Sequence, residues 1–143
     1  MYRKCSQSIQ YEISLLRRAL DFICFLNNLD IMLKKHFAEV KEEPPNLAGT
    51  KGCTVRWLIS QEQGAVHYAM RLFTLQPGGI IPLHKHEVTE HEIFIVEGGG
   101  IINDGINEIL VKRGDAIFVE AGEKHSFVNN GDRPLQFICV VPL

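Results

Sequence analysis

Several features that would place this chain in a common functional class are scarce or missing. Its 15 Lys and Arg residues are outnumbered by 17 Asp and Glu residues, and the formal net charge is −2. A chain without a basic excess has no general electrostatic attraction for a polyanion, so we predict no nucleic-acid partner. The sequence also has no glycine-rich phosphate loop, no zinc-protease helix motif and no Ser/His/Asp spacing. These absences argue against the enzyme classes that depend on those motifs.

Long apolar runs are also absent. No run is longer than that of residues 22–26, which is bounded by Asp21 and Asn27. It is too short for the core of a signal peptide and far too short to span a bilayer. We therefore predict a cytoplasmic protein with no membrane partner.

Cysteine is sparse and scattered. The four cysteines, Cys5, Cys24, Cys53 and Cys139, form no C-x-x-C pair and no dense framework. That distribution is typical of reduced thiols in a cytosol. Cys139 lies in the apolar run 137–141, so we predict that it is a small buried side chain. Metal ligation by its sulfur is the alternative.

Residues 1–36 carry a helical pattern. Apolar residues recur there at steps of three and four, as at Ile9, Ile13 and Leu16, which predicts an N-terminal α-helical extension. Its wide apolar stripe must cover the following domain, a second copy of the chain or another partner. We expect a homodimer, which exposed strand edges would also favour. Because the pattern changes abruptly, an alternative hypothesis is that Met32 is the physiological start.

The periodicity changes to two after the Pro44-Pro45 linker, and this alternation is typical of β-strands. We predict that residues 37–143 form a second, all-β domain, either a sandwich or a barrel. Turn signals such as Pro77-Gly78-Gly79 separate the strands. The predicted strands are residues 54–59, 67–75, 80–86, 91–97, 100–102, 106–111, 116–119, 126–129 and 135–141.

Four of the six histidines lie in one window of this domain. On a strand, His84 and His86 point to the same face, with Cα atoms about 6.6 Å apart. Their imidazoles can therefore bind the same metal ion. His91 opens the next strand, and its ring reaches the same point if that strand pairs with the His84 strand. His125 follows an Ala-Gly-Glu turn at the margin of a later strand.

Other polar residues receive a structural interpretation. Glu90 and Glu92 flank His91, and on a strand they point away from its face. We interpret His36 as an ordinary polar residue. His67 receives the same interpretation, although its strand could line the same cavity. We expect Cys53 and Trp57 in the core or at its rim.

The histidines occur in two spaced motifs that resemble those of the cupin superfamily. The first motif is similar to G-x5-H-x-H-x(3,4)-E-x6-G and reads Gly78-x5-His84-x-His86-x4-His91-x6-Gly98. The second is similar to G-x5-P-x-G-x2-H-x3-N and reads Gly114-x5-Glu120-x-Gly122-x2-His125-x3-Asn129. Two positions depart from these patterns, because His91 replaces the usual Glu and Glu120 replaces the usual Pro.

The resemblance implies a cupin-type double-stranded β-helix, or jelly-roll barrel. It also implies a divalent metal held as in a subgroup of small single-domain cupins, by His84, His86, His91 and His125. Mn or Fe is favoured, with Ni, Co, Cu or Zn as alternatives. Four neutral ligands leave an octahedral ion its full double charge and two open positions, whereas tetrahedral zinc would be saturated.

The resemblance favours a small metal-dependent enzyme. The metal would act as a Lewis acid on a small polar substrate, in a dioxygenase-, isomerase- or decarboxylase-like reaction. A non-catalytic metal-containing module that binds or senses a small molecule is the alternative, favoured by the lack of an evident acid or base beside the ligands. A third interpretation is a barrel in which the metal only joins strands. The fold does not choose among these functions, and the sequence assigns no catalytic or substrate-binding residue.

Overall fold

The period-two alternation becomes a set of antiparallel strands in the computed structural model, which describes residues 32–143. The predicted all-β architecture is confirmed. The part of the predicted α-helical extension up to residue 31 lies outside the described residues, as do Cys5 and Cys24. Within residues 32–143 there is no α-helix, only two short 3-10 turns at Phe37–Glu39 and Gln61–Gln63. The strands are β1 Lys51–Ile59, β2 Tyr68–His84, β3 His91–Glu97, β4 Gly99–Asn103, β5 Glu108–Lys112, β6 Ala116–Val119, β7 His125–Val128 and β8 Leu135–Pro142.

These strands form one curled sheet. The order is β5-β4-β7-β2-β8-β3-β6, with β1 also paired to β2, and every pair is antiparallel. The bounds of β3 and β6 match the predicted strands, and most other bounds differ by at most three residues. No helix in this part of the chain has the length and hydropathy that a bilayer crossing requires.

The longest strand, β2, corrects the prediction of a turn at Pro77-Gly78-Gly79. The backbone continues through these residues as a bent strand. Its first half pairs with β1 and β8, and its second half pairs with β7. Gly78 has φ +76°, and a Cβ on Gly79 would lie 2.8 Å from the carbonyl oxygens of Gln76 and Gly52. Glycine therefore permits a corner here rather than a reversal of the chain.

Asn129, the last residue of the second motif, fixes this corner. It is fully buried, and its Nδ2 donates to the Leu75 and Arg133 carbonyls at 2.8 Å each. Its Oδ1 accepts from the Gly131 N–H at 3.0 Å. Backbone bonds with Gly78 and Gly79 complete the junction between β2 and β7. The polar atoms of this buried amide are thus satisfied, as a buried amide requires.

The core lies on the inner face of the curled sheet. Phe137 stacks on Phe73, with ring centroids 5.1 Å apart, and on Phe127, with centroids 4.8 Å apart. Strands β3 and β8 alternate buried and more exposed residues, as the period-two pattern predicts. The three stacked rings form an apolar floor in the lining of a cavity that the histidines also line.

Candidate metal centre

His84 and His125 face each other across two paired strands. His84 is the last residue of β2, His125 is the first of β7, and the two are register partners. Their ring centroids are 4.3 Å apart. The junction held by Asn129 thus also brings together two histidines that are distant in sequence.

His86 joins this pair from a loop. The prediction that His84 and His86 share a strand is wrong, because β2 ends at His84. The Gly122 N–H donates to the His86 carbonyl at 2.7 Å, which ties the loop to the turn before His125. The His86 ring lies 5.1 Å from that of His84, and the ligand atoms of His84, His86 and His125 all lie within 4.8 Å of one another.

His91 approaches the group from another direction. Its strand pairs with β6 and β8 rather than with β2, so the strand pairing on which its approach was made conditional does not form. The sheet curls enough to bring the His91 ring 5.0 Å from His86 and 4.9 Å from His125, centroid to centroid. His91 stands outside the tight group of three, so the predicted four-histidine ligand set is not confirmed.

The burial of His91 nevertheless marks it as more than a packing residue. The residue is 5 % exposed, and its Nε2 is buried without a hydrogen-bond partner. A buried ring nitrogen without a partner is costly. A metal ion among these rings would supply that partner, so the described residues fit a bound cation.

Backbone carbonyls orient two of the rings. His84 Nδ1 lies 2.8 Å from the Pro82 carbonyl oxygen, and His125 Nδ1 lies 3.1 Å from that of Glu123. A carbonyl oxygen only accepts, so Nδ1 carries the proton in each ring. Nε2 is then the atom with the free lone pair, which is the arrangement that metal-ligating histidines use.

The surroundings keep the imidazoles of His86, His91 and His125 uncharged. Burial, with smaller effects from the neighbouring His125 and Arg71, lowers the pKa of His91 to about 3. Burial also lowers the pKa of His125 to about 4, and the pKa of His86 is lowered by burial, His84 and Arg71. Neutral imidazole is the form that binds a metal, so these rings are held in the ligating state.

The histidines open onto a cavity of about 420 Å³. Most of its lining is apolar, including the stacked rings of the floor, and the segment 43–47 forms one wall. Glu43 attaches that wall to β1 through paired backbone hydrogen bonds with Val55. Glu43 itself lies 3.4 Å from Lys41 in an ion pair.

Arg71 is the functional candidate that the sequence interpretation missed. It lies on β2 and lines the cavity, and its Cζ is 5.3 Å from the Trp57 ring centroid and 5.2 Å from that of Phe73. On this strand it shares a face with the buried Ala69, Phe73 and Leu75. An arginine at an inward position among small and apolar residues was the available signal.

Cys139 connects Arg71 to the histidines. The residue is 3 % exposed, which confirms the predicted burial. Its Sγ also accepts from Arg71 Nη2 at 3.1 Å and lies 3.4 Å from His91 Nδ1, contacts that the sequence did not predict. Burial raises the pKa of the Cys139 thiol, although the Arg71 charge opposes the shift. By contrast, burial alone raises the pKa of Cys53 to about 12.

The remaining polar candidates lie away from the cavity. Glu90 and Glu92 do not line it, and Glu92 is exposed, as its alternation with His91 predicts. His36 caps the first 3-10 turn by accepting from the Ala38 N–H at 3.2 Å. His67 does not line the cavity either, so the alternative that its strand position contributes to the cavity is wrong.

Comparisons with known proteins agree with this geometry. The Cupin_2 cupin-domain model matches residues 71–141. An oxalate-binding protein from Thermotoga maritima is 37% identical over 106 residues, which cover 71% of this chain and 86% of the relative.

Solved structures extend the comparison. The polyketide cyclase RemF from Streptomyces resistomycificus is 35% identical with a TM-score of 0.74, and the match covers 78% of this chain and 80% of that one. A predicted oxalate decarboxylase from Thermotoga maritima is 31% identical with a TM-score of 0.69, over 78% and 99% of the two chains. The family model, the identities and the shared fold together show that this chain belongs to the cupin superfamily.

Proposed function

We propose that this cupin domain binds a divalent metal ion with His84, His86, His91 and His125 and uses it on a small molecule in the cavity. The observation that carries the proposal is His91 Nε2, buried without a partner beside three rings whose ligand atoms lie within 4.8 Å of one another. Mn or Fe remains the favoured ion, with Ni, Co, Cu or Zn as alternatives.

The bound metal would supply Lewis acidity toward an oxygen of the ligand. The residues of the chain have separate tasks. The Pro82 and Glu123 carbonyls hold the His84 and His125 rings in the ligating tautomer. The apolar walls and floor exclude water from the ligand, which strengthens every polar contact made there.

The experiment that tests this proposal is metal analysis of protein purified without added salts, by inductively coupled plasma mass spectrometry. We expect near-stoichiometric metal in the wild type and in the control variant His67→Ala, which changes a histidine outside the cavity. His84→Ala and His125→Ala should each lose most of it. A wild-type protein that stays metal-free after incubation with Mn²⁺ and Fe²⁺ would contradict the proposal.

A specific observation also favours the second candidate, a binding or sensing module without turnover. Besides the histidines, the titratable side chains that line the cavity within residues 32–143 are Glu43, Arg71 and Cys139. Glu43 is paired with Lys41, burial raises the pKa of the Cys139 thiol, and arginine does not exchange protons at ordinary pH. A dedicated general acid or base is thus missing from this lining, and the oxalate-binding name of the relative agrees with a binding role.

Turnover separates the two candidates. Metal-loaded protein should be incubated with hydroxy acids, keto acids and diketones while oxygen consumption and product formation are followed. Turnover that is lost in His84→Ala supports the enzyme. Saturable binding without turnover supports the module. The predicted homodimer and the predicted cytoplasmic location stay predictions, and light scattering on the purified chain tests the first.

A further inference from the structure

Arg71 carries a positive charge that has no protein counter-ion in the described part of the chain. The ion pairs found there are Lys41 with Glu43, Arg56 with Glu42 and Lys85 with Glu87. Arg71 instead contacts two aromatic rings and the Cys139 sulfur. Its Nε is buried without a partner. An unpaired charge in a largely apolar cavity is costly, and arginine cannot relieve the cost by losing its proton.

One end of the guanidinium remains available to a ligand. Nη2 contacts Cys139 and lies 3.4 Å from His91 Nδ1, whereas Nη1 has no hydrogen-bond partner within residues 32–143 and is not buried. Arg71 lines the cavity, so Nη1 is the guanidinium nitrogen that remains for a ligand bound there. The two N–H donors of Nη1 point in directions fixed by the planar guanidinium, and their charge-assisted hydrogen bonds suit a carboxylate.

The position of Arg71 restricts the ligand further. Arg71 Nη2 approaches His91 Nδ1, the ring nitrogen opposite the proposed ligand atom Nε2. The His91 ring would therefore separate a carboxylate at Arg71 from the centre of the histidine group. The cavity of about 420 Å³ falls in the range of roughly 300–1,000 Å³ typical of sites for drug-sized ligands. The flat, stacked rings of Phe73, Phe127 and Phe137 suit a planar apolar body.

We propose that Arg71 is the carboxylate-binding and specificity-determining residue of this cavity. The ligand is an aromatic carboxylic acid whose carboxylate pairs with Arg71 while a second oxygen on the same molecule reaches the histidine end. The second contact rests on the proposed function, since it needs the metal. The contact with Arg71 does not.

The test is calorimetric binding of 3-hydroxybenzoate and 4-hydroxybenzoate, each compared with its neutral amide. Wild-type metal-loaded protein should bind at least one acid about 10-fold or more tightly than the amide, since a charge-assisted pair contributes about 1.5–3 kcal/mol. Arg71→Gln should reduce that preference to about twofold or less and leave amide binding unchanged. Absence of binding by both acids, or an unchanged preference in Arg71→Gln, would overturn the proposal.

Two further variants control the test. Arg56→Gln changes an arginine on the neighbouring strand β1 that pairs with Glu42 and does not line the cavity, so it should retain the wild-type preference. Arg71→Lys keeps the charge but loses the planar guanidinium with its fixed N–H directions. Its preference for the acid over the amide should therefore fall at least about threefold. If Arg71→Gln does not fold, an unchanged preference in Arg71→Lys overturns the proposal.

The metal content of each sample separates this inference from the proposed function. A wild-type protein that takes up no metal contradicts the metal site. The ratio of acid to amide affinity in chelator-treated protein still reports on Arg71. Loss of that ratio in Arg71→Gln supports the carboxylate contact with or without the metal.

Discussion

The cavity has two polar parts that meet where Arg71 Nη2 approaches His91 Nδ1, a histidine end and an arginine end, and they hold their polar groups in different ways. At the histidine end, His84 and His125 each use the carbonyl two residues earlier in the chain, so their outward nitrogens remain free. At the arginine end, Arg71 is held by Trp57, which is on another strand, and by Cys139, which is 68 positions away in sequence. One end is a neutral donor set suited to a cation, and the other is a fixed cation suited to an anion. The difference indicates that the cavity binds a ligand with two distinct oxygen groups.

The largest effect is expected where β2 bends between the two ends. Asn129→Ala removes three hydrogen bonds and leaves the Leu75 carbonyl, the Arg133 carbonyl and the Gly131 N–H without this partner. We expect the free energy of unfolding to fall by about 3 kcal/mol. Urea denaturation of the metal-free protein measures it. Asn130→Ala, at the exposed neighbouring position, should change it by less than about 0.5 kcal/mol. Equal effects would show that the corner does not depend on Asn129.

A smaller effect is expected from Cys139, the residue that touches both ends. Cys139→Ala removes the sulfur beside His91 Nδ1 and Arg71 Nη2. Because partners that orient a metal-ligating histidine contribute about 10–100-fold in affinity, we expect Mn²⁺ binding to weaken by about 10-fold. Competition with a fluorescent chelator measures the change. Cys53→Ala alters a buried cysteine outside the cavity lining and should leave the affinity unchanged. If Cys139→Ala and Cys53→Ala have the same Mn²⁺ affinity, the contact of Cys139 with His91 does not contribute to metal binding.

Another effect concerns pH and only the histidine end. In the unfolded chain, histidine titrates near its ordinary pKa of about 6.5. In the folded metal-free protein, the pKa of His91 is about 3 and that of His125 about 4. Below about pH 6.5 the unfolded state therefore binds more protons, and stability falls as the pH is lowered toward about 4.

Urea midpoints measured in chelator between about pH 7 and about pH 4.5 test this expectation. His91→Asn should show a shallower loss of stability on acidification than the wild type. His67→Asn, outside the cavity, should match the wild type. A steeper or unchanged dependence in His91→Asn would contradict the assigned role of burial.

Only part of the histidine end could be predicted from the sequence. His84 and His125 meet through the long-range pairing of β2 with β7, but short-range alternation identified the inward face of β3. The bounds of β3 and β6 were predicted correctly for the same reason. Period-two alternation specifies a face but not a neighbouring strand, because pairing depends on where the chain returns. Alternation therefore could not tell whether the His91 strand pairs with the His84 strand, and it pairs with β6 and β8 instead.

The arginine end could not be predicted because its contacts are long-range. Trp57, Arg71 and Cys139 belong to three strands that become neighbours only when the sheet forms. The bend in β2 was also misinterpreted, since Pro77-Gly78-Gly79 matches a turn as well as a corner. The pairing with β7 and the hydrogen bonds of Asn129 decide that the chain forms a corner rather than a turn.

The central claim is that His91 completes the metal site, and the most direct test is the affinity for Mn²⁺ of His91→Ala beside that of the wild type. Competition with a chelator of known affinity should be used, with His84→Ala as the reference for a lost ligand. We predict that His91→Ala weakens binding by more than about 100-fold, beyond the 10–100-fold that outer partners contribute. Wild-type affinity in His91→Ala, with affinity lost in His84→Ala, would instead mean that His84, His86 and His125 hold the metal without it.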